Sequence, residues 1–181
     1  MLSLSLPTWG ADQADLQKFN LKQKDESKPL DLSGADLRNY KLQGSQVSFK
    51  NANLSHANLH NVDLSAVDLS LADLTQADLE NANLSDTKLT HANLQNANLI
   101  SANLEHADLT HANLNHASLF SANMSSANLS FVDLTCANLN DANLMNANVA
   151  HANISSATFV NTLTTDIQNY ESVIDNKTAC E

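Results

Sequence analysis

The sequence predicts an all-β solenoid, and three observations carry that prediction. From Val47 to Asn161 the chain divides without insertion or deletion into 23 units of five residues. Every unit carries a bulky apolar residue at its third place, from Phe49 through Met124, Val149 and Ile154 to Phe159. Two residues earlier stands a small one, Ala in most units, Val or Thr in the others. A helical face recurs at three and four residues and a strand face at two, so a sustained period of five belongs to a larger repeating object.

Residues two apart on an extended segment share a side, so the small and the bulky place of each unit can both face inward. The next small place lies three residues further on, an odd step that a straight strand would turn outward, so the chain must bend once per unit. Between the two inward places stands Asn in thirteen units and Asp in six, with Ser48, Lys88, Ser118 and Thr158 as exceptions. Asn and Asp bond to nearby backbone and tolerate turns, which suits a chain that bends at every unit. Five is then the length of one side of a coil, and stacked coils would share backbone hydrogen bonds at about 4.8 Å spacing.

These residues resemble the pentapeptide-repeat family, whose pattern A(D/N)LXX is repeated in "ANLSHANLHN" and "ANLNDANLMN". The resemblance implies a right-handed quadrilateral β-helix with four units per turn. In keeping with four, His91, His111 and His151 fall on one twenty-residue register and Ile100, Phe120 and Val160 on another.

The ends depart from the pattern. Residues 1–29 hold "ADLQKFNLKQ", a charged loop and Trp9, and read as an N-terminal cap with irregular first units. The solenoid proper is expected over 30–163, with a two-residue insertion at Ser45 and Gln46. Over 164–181, Ile167, Tyr170, Val173 and Ile174 stand at helical spacing behind Thr165 and Asp166, which predicts a short C-terminal helical cap. Tyr170, Val173 and Ile174 could also pair two chains end to end as a homodimer.

Composition narrows the function. The net charge of −11 argues against a direct nucleic-acid-binding surface, which needs Lys and Arg to displace counterions from phosphates, and an anionic membrane would repel it. No signal peptide or apolar span stands out, and two cysteines, Cys136 and Cys180, are too few for a disulfide framework, so a reducing cytoplasm is expected. Six of seven histidines (His56, His91, His106, His111, His116, His151) occupy the outward fifth place. They read as solvated surface rather than a metal column, because no carboxylate or cysteine completes the His91 and His111 register. Cys136 follows His116 by twenty residues, but no third group or oxyanion hole joins them. No catalytic residue, cofactor or metal site is assigned, and a filled solenoid offers no cleft.

A non-enzymatic scaffold that binds a protein partner is therefore expected. Its candidate contact residues are the apolar exceptions among polar outward places: Ile100, Phe120 and Val160 on one side, Leu71 and Phe131 on the opposite one. The family resemblance also implies an alternative, a ligand of DNA gyrase that mimics duplex DNA and protects against quinolones. Lys88 is the single basic residue between Asn51 and Leu163, against ten acidic ones. Yet Asp63, Asp68, Asp73 and Asp78 stand in consecutive units, which makes an acidic belt around one coil rather than a stripe along the axis.

Overall fold

The computed structural model describes residues 29–38, 42, 48–175 and 180, and every structural statement below concerns those residues. The expected N-terminal cap with Trp9, and the insertion itself, lie outside them.

The hydrogen bonds of one unit explain the period. In the unit from Ala52, the Leu54 N–H donates to the Asp73 carbonyl (2.7 Å) and the His56 N–H to the Thr75 carbonyl (2.9 Å), while Asp73 donates back to the Ala52 carbonyl (2.9 Å). The Ala57 N–H closes a turn on the Leu54 carbonyl (3.0 Å). The remaining N–H, of Ser55, donates to the Asn53 side-chain Oδ1 (3.0 Å). Each place of the unit thus has a partner for its N–H, and the fifth of these requires a short side-chain acceptor two residues back. That requirement selects Asn and Asp.

Each side contributes a one-residue parallel bridge to the coils above and below: Asn53 to Asp73, Asn58 to Asp78, Asp63 to Asn83 and Asp68 to Lys88, all twenty residues apart. Four sides make a turn, as the family pattern implied. Below Asn53 and Asn58 the step is 22, to Asp31 and Asp36, so the two extra residues are absorbed in one longer turn.

The interior is filled by the two inward columns. Leu54 to Leu139 and the alanines beside them are essentially inaccessible, which removes the apolar surface of every coil from water. Thr87, in an alanine place, is equally buried, and its hydroxyl donates to the Leu84 carbonyl (2.6 Å), which satisfies the one polar group it brings inside.

The bend of each unit rests on its fifth residue. From Asn51 to Asp166 every fifth residue has φ between 55° and 62°, the left-handed region. Asn, Asp and His are the non-glycine residues that tolerate it best. The six outward histidines therefore stand at corners where the backbone itself favours them.

The C-terminus corrects the expected helical cap. Only Tyr170–Ser172 is helical, a single three-residue 3₁₀ turn. Instead the coil continues after its sequence pattern has lapsed: Leu163 bridges Asn143, Gln168 bridges Asn148 and Ile174 bridges Asn153. Asp166 takes the corner conformation (φ 57°) rather than capping a helix. The exposed N–H and carbonyl row of the preceding coil supplies partners that an isolated short helix lacks, so pairing overrides the helical spacing. An apolar mouth of about 370 Å³ remains at this end, lined by Leu134, Leu144, Ile154, Phe159 and Val173 among others.

The cysteines correct a second expectation. Cys136 and Cys180 are joined by a disulfide, with Cα atoms 5.7 Å apart. The chain end returns to the corner that carries Cys136, a proximity that counting cysteines does not reveal.

Candidate interaction surface

The outward places organise the surface, because each coil adds one residue to each outward column. One column runs His60, Glu80, Ile100, Phe120, Asn140 and Val160. Ile100 is half-buried, whereas Phe120 is 39% and Val160 62% exposed. The structure thus places Ile100 and Phe120 on consecutive coils, with the Asn140 side chain accepting the Val160 N–H (2.8 Å) above them.

The opposite corner carries Leu71, His91, His111, Phe131 and His151, and Leu71 and Phe131 are each 50% exposed. Here the rings stack. His91 lies on His111, His111 on Phe131 and Phe131 on His151, with centroids 4.8 Å apart in each case and planes within 3°, 16° and 29°. The faces of Phe131 are covered by imidazoles, so it offers solvent only its edge. Parallel stacking also sets the imidazoles one coil apart instead of converging them on a point.

The four aspartates of the belt stand one on each side of a single coil. Each accepts the N–H two residues on: Ser65, Ser70, Thr75 and Glu80 respectively. At Asp68 two opposing influences act on the carboxyl. Burial pushes its carboxyl up, but hydrogen bonds from the Ser70 hydroxyl and N–H and the charges of Lys88 and Lys50 outweigh that and leave it below the usual value. His116 and Cys136 do share a corner column, but the Cys136 sulfur is committed to Cys180, so no thiolate and base pair forms.

Sequence reasoning gave no role to His60, the one histidine off the left-handed corner place. The structure gathers it with Asp78 and Glu80: one ligand atom from each lies within 4.8 Å of the others. The signal was available as His60 and Glu80 at a twenty-residue spacing beside an Asp.

No described helix is long and apolar enough to cross a membrane. The family model for pentapeptide repeats matches in overlapping segments from residue 31 to residue 159. No curated protein sequence matches the chain. Among solved structures it is similar to HetL, a pentapeptide repeat protein involved in heterocyst differentiation regulation from the cyanobacterium Nostoc sp. strain PCC 7120, at 29% identity over 83% of this chain and 87% of that one, with a TM-score of 0.38. It is also similar to full-length QnrB1, a plasmid-mediated fluoroquinolone resistance protein, at 14% identity over 68% of this chain and 83% of that one (TM-score 0.41). A third is a pentapeptide repeat protein from the Arabidopsis thaliana thylakoid lumen, 29% identical over 54% of this chain and 61% of that one (TM-score 0.26). With the repeat model matched along most of its length and four five-residue units closing each turn, this chain belongs to the pentapeptide-repeat family.

Proposed function

We propose that this chain is a non-enzymatic scaffold, a right-handed quadrilateral β-helix that binds a protein partner through the outward column of Ile100, Phe120 and Val160. The observation that carries the reading is Phe120: an aromatic ring 39% exposed, directly above Ile100, among outward places that are mostly Ser, Thr, Asn and His. Exposed aromatics of this kind anchor protein contacts. Leu71 and Phe131 at the opposite corner form a second candidate contact, narrower because only the Phe131 edge is presented. Around the C-terminal mouth Tyr170 and Ile174 are exposed, and that end is where two chains would pair.

The alternative, mimicry of DNA toward gyrase, needs carboxylates stacked along the axis like a phosphate strand. The pairing of coils disfavours it, because along each side an Asp is followed in the next coil by Asn or Lys, as Asp63 by Asn83, Asp68 by Lys88, Asp73 by Asn93 and Asp78 by Asn98. Like charges directly opposite each other destabilise such a ladder. A gyrase supercoiling assay separates the readings: the scaffold leaves supercoiling unchanged at micromolar concentration, whereas inhibition that high salt abolishes would establish mimicry.

The disulfide bears on location. A Cys136–Cys180 bond persists in oxidising compartments and is rare in the cytosol, so we place this chain in a periplasm, lumen or extracellular space rather than the cytoplasm. Labelling of free thiols in protein extracted under alkylating conditions tests this: thiols blocked before reduction would restore the cytoplasm.

A further inference from the structure

His60 lies outside the set of histidines that the backbone explains. It occupies the place before the corner residue Asn61, so no left-handed conformation favours imidazole there. One coil on, in the same column, stands Glu80, and on the same side of that coil stands Asp78. All three side chains are half-buried, and a ligand atom from each lies within 4.8 Å of the other two.

We propose that His60, Asp78 and Glu80 form a binding site for one divalent transition-metal ion of the zinc type. The donor set is the first reason. One imidazole nitrogen with two carboxylate oxygens suits a borderline cation, whereas Mg²⁺ and Ca²⁺ prefer oxygen alone. Rigidity is the second, since parallel bridges fix Asn58, Asp78 and Asn98 in three successive coils.

The third reason is orientation. The Asn98 amide donates to Asp78 Oδ1 (3.0 Å) and to Glu80 Oε2 (3.3 Å), and the Glu80 N–H also donates to Asp78 Oδ1 (3.2 Å). These bonds hold two carboxylates side by side and engage one oxygen of each, which leaves Asp78 Oδ2 and Glu80 Oε1 as the second oxygens available to an ion. Such outer hydrogen bonds commonly orient metal ligands. Among the described residues no Lys or Arg forms an ion pair with either carboxylate, so the paired negative charge is left for a cation to neutralise. With ligand bonds of about 2.0–2.2 Å, tetrahedral donors stand roughly 3.4 Å apart, so the three side chains must rotate inward to close that triangle onto one ion. Three protein ligands leave at least one position for water.

The experiment is a calorimetric titration of the disulfide-intact chain with ZnCl₂ in a non-chelating buffer, beside His60→Ala, Glu80→Gln and the double variant His91→Asn with His111→Asn. Each variant is first checked by thermal melting. The wild type and the double variant should take up one ion per chain with equal affinity, His60→Ala and Glu80→Gln should bind at least tenfold more weakly, and MgCl₂ should not compete at equal concentration. Equal affinity in His60→Ala, loss of binding in the double variant, or no uptake by the wild type would each overturn the site. Should a variant fail to fold, the chemical shifts of His60 in the wild type decide: Zn²⁺ must move His60 ahead of the other histidines.

Discussion

Asn83 donates its side-chain amide to the Asp63 carboxylate one coil below, at 3.1 Å. Asn103, Asn123 and Asn143 repeat that bond upward, each to the Asn beneath it, at 3.3, 3.0 and 3.1 Å. The ladder is directional, and Asp63, which accepts without donating, is suited to its lowest described place. On another side Asn98 donates to Asp78 in the same sense.

An asymmetry follows. Converting Asp63, Asp68, Asp73 and Asp78 together to Asn keeps every acceptor for the N–H two residues on, and should leave the melting temperature unchanged or higher. Converting Asn83 to Asp sets two carboxylates opposite each other and removes the donor, so it should cost about 0.2–1 kcal/mol. Thermal melts of the two variants test both signs, and a clear loss in the fourfold variant would show bonds that Asn cannot make.

The corners offer a gain. Ala66 has φ 58°, a conformation that costs an L-residue with no side-chain bond about 1–2 kcal/mol. Ala66→Gly removes that cost, offset in part by greater unfolded-state freedom, and should stabilise by about 0.5–1 kcal/mol. A matching Gly at inward Ala72 should destabilise, and denaturant melts of the pair check the assignment of corner and side.

The disulfide closes a loop across 44 residues, spanning the last coils. Chain entropy gives such a bond about 4 kcal/mol, nearly all of it local to the C-terminal end of a solenoid. Cys136→Ser should lower protection against hydrogen exchange from about Leu139 to Ile174 and leave the coils below unchanged. Uniform loss along the rod would contradict a local clamp.

Acid should reveal Asp68. Its folded pKa is lowered, so its contribution is complete above the unfolded carboxyl value, near about pH 4, and is lost as pH falls through the folded value. The melting temperature of the wild type should therefore fall more between pH 5 and pH 2, on the order of the carboxyl range, than that of Asp68→Asn.

Much of this was legible because one constraint acts on every unit. The inward columns, the two-residue insertion near Ser45 and the one-per-side placement of the acidic belt follow from period and side-chain size. The corner histidines were legible as outward but not as conformational, since φ is invisible to a hydropathy pattern. The helical spacing of Ile167, Tyr170 and Val173 misled because the open edge of the previous coil outweighs local preference. Cys180 needed coordinates, because its partner lies 44 residues away and outside the twenty-residue register.

Phe120 remains the residue on which the functional reading turns. Phe120→Glu should leave the melting temperature within the range of other outward substitutions, because the ring is outside the packed interior. The measurement is quantitative capture of partner from native extract by immobilised wild type and Phe120→Glu at matched loading. A scaffold that binds through this column should lose more than about 1 kcal/mol of binding in the variant. Equal capture by both, or gyrase inhibition that the variant retains, would contradict it.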